Sequence, residues 1–209
     1  MHRRPALALA AALGLTLAAA GTASAAGATR SGQRALTASS AWRTWWGAAA
    51  FGPGGVTLAS TVPTAPAETH SALVTTKQTW SNPTISFTTT TLGQLRTGSA
   101  PNPWEVGWVM FRFHDLANYY WFMVKPNGFE LGKKQGSDTQ IFLQTGDLPH
   151  LTVGVPERVQ VRVQGARIRV SVDGVPVADY TDPSPIPGAG SVGLYEEDSQ
   201  VRFDSVAVS

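Results

Sequence analysis

The chain has 209 residues, no cysteine, and 16 Lys and Arg against 14 Asp and Glu. That length suits one domain whose core needs no disulfide staple, and without cysteine no cysteine-linked lipid anchor can form. Once Arg3 and Arg4 are set aside the basic count falls to 14, equal to the acidic one, so the charge carries no footprint of a nucleic-acid binder.

Arg3 and Arg4 precede an apolar run from Ala6 to Ala20, and Ala23-Ser24-Ala25 fits the small-residue cleavage rule. Residues 1–25 therefore read as a secretory signal peptide. The mature chain is expected outside the cell, with no membrane span after signal removal. Export of a cysteine-free domain suits a bacterial product. Residues 26–40, mostly Ala, Gly, Thr and Ser, read as a flexible leader, and 41–209 as a single domain. Trp42, Trp45 and Trp46 come next and are expected to plug one edge of the core. Gly52-Pro53-Gly54-Gly55 is a turn, and 56–60 a first short strand. Strands over 71–77 and 84–92 follow, the second rich in the β-branched residues that fit a pleated surface.

From 104 to 145 aromatic and long polar residues interleave more densely than anywhere else. Val109, Phe111 and Phe113 fall on one strand parity, and Trp108, Met110, Arg112 and His114 on the other. Turns are expected at 115–118 and at Asn127-Gly128. Farther on, Val159, Val161 and Val163 alternate with Gln160 and Arg162. Ile168, Val170 and Val172 alternate with Arg167, Arg169 and Ser171. Gln164-Gly165 and Asp173-Gly174 turn the chain. Short strands over 175–180, 192–196 and 201–208 close the fold around a Pro-rich crossover. Phe203 is out of parity with Val206 and Val208, which predicts a β-bulge near Asp204. No window shows the apolar period of a stable helix. These elements predict an all-β fold, a two-sheet antiparallel β-sandwich.

Flat aromatic faces suit the apolar faces of sugar rings. Trp108, Tyr119 and Trp121, with Arg112, His114 and Lys125 as polar donors, form the expected carbohydrate-binding strip, provided the strands pair around 115–118. With Lys133 and Lys134 these donors could read the carboxylates of an acidic polysaccharide. An inverted parity would instead bury Trp108 and Trp121 and turn Phe111 and Phe122 outward. His70, His114 and His150 lack zinc-type spacing, and no nucleophile elbow or phosphate loop is present.

The segments NYYWFMVKPNGFELGKK, ERVQVRVQGARIRVSVDGVPVADYTD, GSVGLYEED and VRFDSVAV, in that order, resemble the concanavalin A-like lectin and glucanase jelly rolls. Within that superfamily they are similar to relatives of family 16 glycoside hydrolases, to 3-keto-disaccharide hydrolase-type domains and to laminin-G-like sugar-binding modules. The resemblance covers residues 50–209. It implies two curved sheets with a glycan on the concave face and, in some relatives, a structural Ca2+ on the convex side. Asp204 stands at the closing-strand position of that calcium carboxylate, with Glu68 as a second ligand. The family 16 Glu-x-Asp-x-Glu strand is missing: Glu196 and Asp198 flank Glu197 at a strand end, where a solvated turn is expected. The Gln-Ile-His triplet of related alginate lyases is here Gln140-Ile141-Phe142. No catalytic residue carries over.

The expected protein is thus a secreted, monomeric, non-catalytic lectin-like domain that binds a polysaccharide, with Ca2+ as a structural cofactor. Two alternatives stand beside it. One is a polysaccharide-degrading enzyme, either a lyase using Tyr119, His114 and a basic side chain or an unusual glycoside hydrolase. The other is a domain that recognises protein. The missing carboxylate pair argues against hydrolysis.

Overall fold

A computed structural model describes residues 34–36 and 38–209; the expected signal peptide lies outside them. In chain order the strands are β1 (Arg34–Ala35), β2 (Trp42–Trp46), β3 (Ala48–Gly52), β4 (Gly55–Ala59), β5 (Ser71–Trp80), β6 (Thr84–Gln94), β7 (Gly107–Asp115) and β8 (Asn118–Lys125). Then come β9 (Gly128–Gln135), β10 (Ile141–Gly146), β11 (Glu157–Gln164), β12 (Arg167–Val172), β13 (Val175–Thr181), β14 (Gly190–Glu197) and β15 (Ser199–Val208). One sheet runs β13-β12-β11-β6-β15-β4-β3, with β1 against β15. The other runs β10-β9-β8-β7-β14-β5-β2. All pairings are antiparallel. The expected two-sheet sandwich is the fold. No helix among the described residues is long and apolar enough to cross a membrane. Within the stretch read as leader, Arg34–Ala35 pair with Ala207–Val208 and Leu36 is buried, so ordered pairing begins before the domain boundary drawn from composition.

The alternation that predicted the strands also builds the core. Val159, Val161 and Val163 pair across from Val172, Val170 and Ile168, and all six are buried. Burying each such side chain contributes roughly 1.5–3 kcal/mol. Asp173 (φ 51°) and Gly174 (φ 82°) both adopt the left-handed conformation that a two-residue hairpin turn needs. The bulge expected near Asp204 is present: the β15–β6 register shifts between Asp204 and Ala207, with Ser205 at φ 52°.

Gly107 fixes which face of the seven-stranded sheet is core. A Cβ there would run into Val201 and Thr89 of the opposite sheet, so Gly107, Val109 and Phe111 point inward and Trp108 and Met110 outward. The alternation breaks at Arg112 (φ 45°), where the β7–β8 register shifts between Phe111 and Asp115. Phe113 beyond it meets Tyr119 and Trp45 instead.

Two buried polar clusters close the ends of the sandwich. Arg112 donates to the carbonyls of Ser81 (2.9 Å), Ile186 (3.0 Å) and Gly165 (2.8 Å). Lys133 and the Tyr120 hydroxyl both donate to Asp182, and Ile186 N–H donates to Tyr120. Burial works to raise the Asp182 carboxyl, but the Lys133 and Tyr120 hydrogen bonds outweigh it and hold the group below its ordinary value. Together these bonds pin the Pro-rich crossover. At the other cluster Arg96 bridges Glu105 (2.5 Å) and Asp198 (2.6 Å), all three buried. The solvated turn expected around Glu196–Asp198 is therefore corrected. Glu196 and Asp198 are both fully buried, because Arg96 neutralises one and Ser60 and Ser199 hydrogen-bond the other.

Candidate functional site

The outer face of the seven-stranded sheet carries an unbroken chain of rings. Pairing places Met110 opposite Trp121 and Trp108 opposite Met123, so these side chains share that face. Ring centroids step from Trp45 to Phe113 (5.5 Å), Tyr119 (5.7 Å), Trp121 (6.2 Å) and Phe142 (6.0 Å). Trp108 branches off at 6.1 Å from Trp121 and leads to Tyr195 at 5.3 Å. The middle of the chain is closely paved: Trp108, Tyr119 and Trp121 are buried, Trp121 completely. The two ends are open, with Trp45 39% and Phe142 55% exposed, and Trp104, outside the chain, is 43% exposed.

Open clefts flank the paved centre. One of about 370 Å³ is lined by Trp104, Trp108, Met123, Glu130, Phe142 and Glu197, with Gln140 on its rim. The Trp108 indole N–H donates to the Trp104 backbone carbonyl at 2.9 Å, and both indoles line the cleft. Glu130 is ion-paired with Lys125. Glu197 accepts from the Tyr195 hydroxyl at 2.6 Å. Burial raises the Glu197 carboxyl, and the charges of Asp198 and Glu105 add to the rise against the Tyr195 hydrogen bond. A smaller cleft, about 130 Å³, lies at the Trp45 end between Arg43, Lys77, Phe113 and His114.

The structure brings together Trp108, Tyr119, Trp121 and, through Glu130, Lys125. His114 joins them only at the far cleft. Arg112 leaves the strip: its positive φ turns it away and backbone carbonyls occupy its guanidinium. Neither parity alternative for this hairpin holds in full. Trp108 and Trp121 face outward as expected, yet they are buried by their neighbours, while Phe111 and Phe122 are core. The Trp plug expected at the edge holds for Trp42, which is buried and donates to Leu36 O. The β2 register shift between Thr44 and Trp46 instead leaves Trp45 exposed. Phe142, Glu130, Glu197 and Trp45 were not among the predicted site residues. Local strand parity does not mark them, because their approach depends on the β2–β5, β14–β7 and β10–β9 pairings.

Asp204 does not suit calcium. Both of its oxygens accept from Arg202 Nε at 2.9 Å, and Arg202 places a positive charge where the ion would sit. Glu68, the second expected ligand, binds Thr64 and Ala65 in its own turn. No group of three or more His, Asp or Glu among the described residues could hold a metal ion.

Comparisons with known proteins agree with this architecture. A carbohydrate-binding module, CBM66 from Bacillus subtilis, superposes with a TM-score of 0.63 at 20% identity, covering 79% of this chain and 93% of its own. The exoplasmic domain of VIP36 in its Ca2+- and mannose-bound form gives 0.59 at 11% identity, covering 81% and 82%. A native glycosidic hydrolase gives 0.58 at 11% identity, covering 84% and 93%. At these identities the likeness is one of fold. No curated protein matches the sequence. The 3-keto-alpha-glucoside-1,2-lyase-like domain model matches residues 37–209, and the chain belongs to that family.

Proposed function

We propose that this domain binds a polysaccharide across the outer face of its seven-stranded sheet. The observation that carries the reading is the continuous ring chain, closed in the middle and open at its ends Trp45 and Phe142, with exposed Trp104 on the cleft that Phe142 and Trp108 also line. Buried rings hold the exposed ones in fixed orientation, so stacking on a sugar orders little that was free. Glu130, Glu197 and Gln140 at the rim offer acceptors to sugar hydroxyls. Carbohydrate-binding and mannose-bound neighbours of the same fold support the reading. The Ala23-Ser24-Ala25 pattern supports an exported protein, which would meet such polymers outside the cell. Calcium enters this reading only as a solution-tested cofactor, since the residues around Asp204 do not fit it. A glycan array with the purified protein tests the proposal: retention of some polysaccharide that Trp104→Ala weakens about tenfold is expected, and no retained glycan would end it.

A second reading, cleavage of a bound sugar, is favoured by Glu197. It is a carboxyl raised by burial, lining the larger cleft beside Glu130 and two indoles. Tyr119 suits such a role less, because burial pushes its phenol up to about 12. Release of reducing ends from a retained glycan, lost in Glu197→Gln, would establish this second activity.

A further inference from the structure

We propose that the Trp45 end of the outer face is a subsite for a sugar bearing a carboxylate or sulfate group. The proposal rests on the glycan-binding reading and names the ligand class for it. The small cleft there is lined by Arg43 and Trp45 of β2, Lys77 of β5, Phe113 and His114 of β7, and Ser191 of β14. Arg43, Lys77 and His114 are exposed and converge on one opening.

Arg43 and Lys77, like Arg158 and Arg162 on the other sheet, have no acidic partner among the described residues. Elsewhere Arg96, Lys125, Lys133, Arg167 and Arg202 each pair with a carboxylate, and Arg112 is consumed by carbonyls. Arg43 and Lys77 have no ion-pair or hydrogen-bond partner for their side chains among the described residues. The nearby Asp115 does not serve them: its oxygens accept from Ala117 N–H and the Asn118 amide within its own turn. Two unpaired cations and an imidazole around a cleft walled by an exposed indole form a receptor for an oxyanion carried on a ring. The guanidinium can bind the anion as a fork while the indole stacks on the sugar.

The other end of the face has the opposite character. The cleft beside Trp104 is lined by the acids Glu130, paired with Lys125, and Glu197, and by no unpaired cation. Rings join the two ends. A chain with an acidic sugar therefore has one favoured placement, with the anion over Arg43 and Lys77 and uncharged sugars toward Trp104.

Matched pairs of polymers test the proposal by tryptophan quenching and titration calorimetry: polygalacturonate against its full methyl ester, and dextran sulfate against dextran. At least one acidic member should bind about tenfold tighter than its neutral counterpart, with the gap narrowing at high salt. The Arg43→Gln/Lys77→Gln double variant, with unchanged melting, should lose that gap and keep its affinity for the neutral counterpart. Neutral members binding as tightly as acidic ones, or a preference that survives in the double variant, overturns the subsite while leaving the glycan reading in place. If no polymer of either kind binds, the glycan reading fails and takes the subsite with it.

Discussion

The indole of Trp121 lies directly over Gly132 on the neighbouring strand, at the place where any other residue would carry its Cβ. A Cβ built at 132 would stand only 2.6 Å from Cη2 of the ring. The two residues are cross-strand partners, so the glycine is what lets the central ring lie flat between its aromatic neighbours. Gly132→Ala should force that ring up, destabilise the fold by about 1–3 kcal/mol and weaken binding together with stability. Thermal melting and glycan titration of the same variant check both effects.

The exposed rings should separate from the buried ones. Trp104→Ala or Phe142→Ala removes a ring that little else covers, so binding should fall by about 1–2 kcal/mol, roughly tenfold or somewhat more, with melting nearly unchanged. Trp108→Ala or Trp121→Ala removes a buried ring and should cost about 3–5 kcal/mol of stability. Paired denaturation and binding curves for the four variants check this division. Equal stability losses in all four would mean that the open ends of the chain are core.

Much of this face was legible in the sequence because strand parity is a local property. Trp108, Tyr119 and Trp121 share the outward side as their spacing requires. What parity cannot carry is a bulge. The positive φ of Arg112 shifts every later residue of β7 across the sheet, so Phe113 joins the rings while Arg112 leaves them. Long-range pairing was equally invisible. Phe142 meets Trp121 only because β10 adds to the edge of the sheet beyond β9. Glu196 and Asp198 looked solvated because Arg96 and Ser60, their distant partners, lie about a hundred residues or more earlier in the chain.

Arg112 is a structural clamp, and its substitution should show it. Arg112→Ala leaves the carbonyls of Ser81, Gly165 and Ile186 without their donor, a loss of about 3 kcal/mol or more. Glycan affinity of the folded fraction should stay unchanged. A variant that melts like the parent but binds poorly would restore Arg112 to the binding strip.

Calcium should leave melting unaltered. Asp204 is held by Arg202, with both side chains about one-third exposed (34% and 33%), so the pair itself contributes at most about 1 kcal/mol. An ion binding at Asp204 would have to displace that guanidinium. Differential scanning fluorimetry with millimolar calcium and with chelator should give the same midpoint, and Asp204→Asn should lower it only slightly in both. A calcium-dependent rise that Asp204→Asn removes would reinstate the metal site.

The buried carboxyls make stability depend on pH in a particular direction. Burial pushes Glu196 up to about 7, against hydrogen bonds from Ser199 and Ser60 and with the charge of Asp198 adding to the rise. Burial likewise pushes Glu157 up to about 7, with the charge of Asp173 adding to it. A carboxyl whose folded value lies above its unfolded one binds its proton more tightly in the native state. Below pH ~4.5 both states are protonated and neither group costs anything. As pH rises toward 7 the unfolded chain ionises first, and stability declines by up to roughly 3 kcal/mol for each group, levelling off above the folded value. These two groups therefore make the protein more stable at pH 5 than at pH 8. Glu196→Gln isolates the contribution. Its amide oxygen can keep the Ser199 and Ser60 hydrogen bonds, and its melting temperature should vary less between pH 5 and 8 than that of the parent. Urea denaturation at four pH values measures the slope directly. A parent and variant with parallel pH profiles would show that Glu196 ionises as freely in the fold as in the unfolded chain.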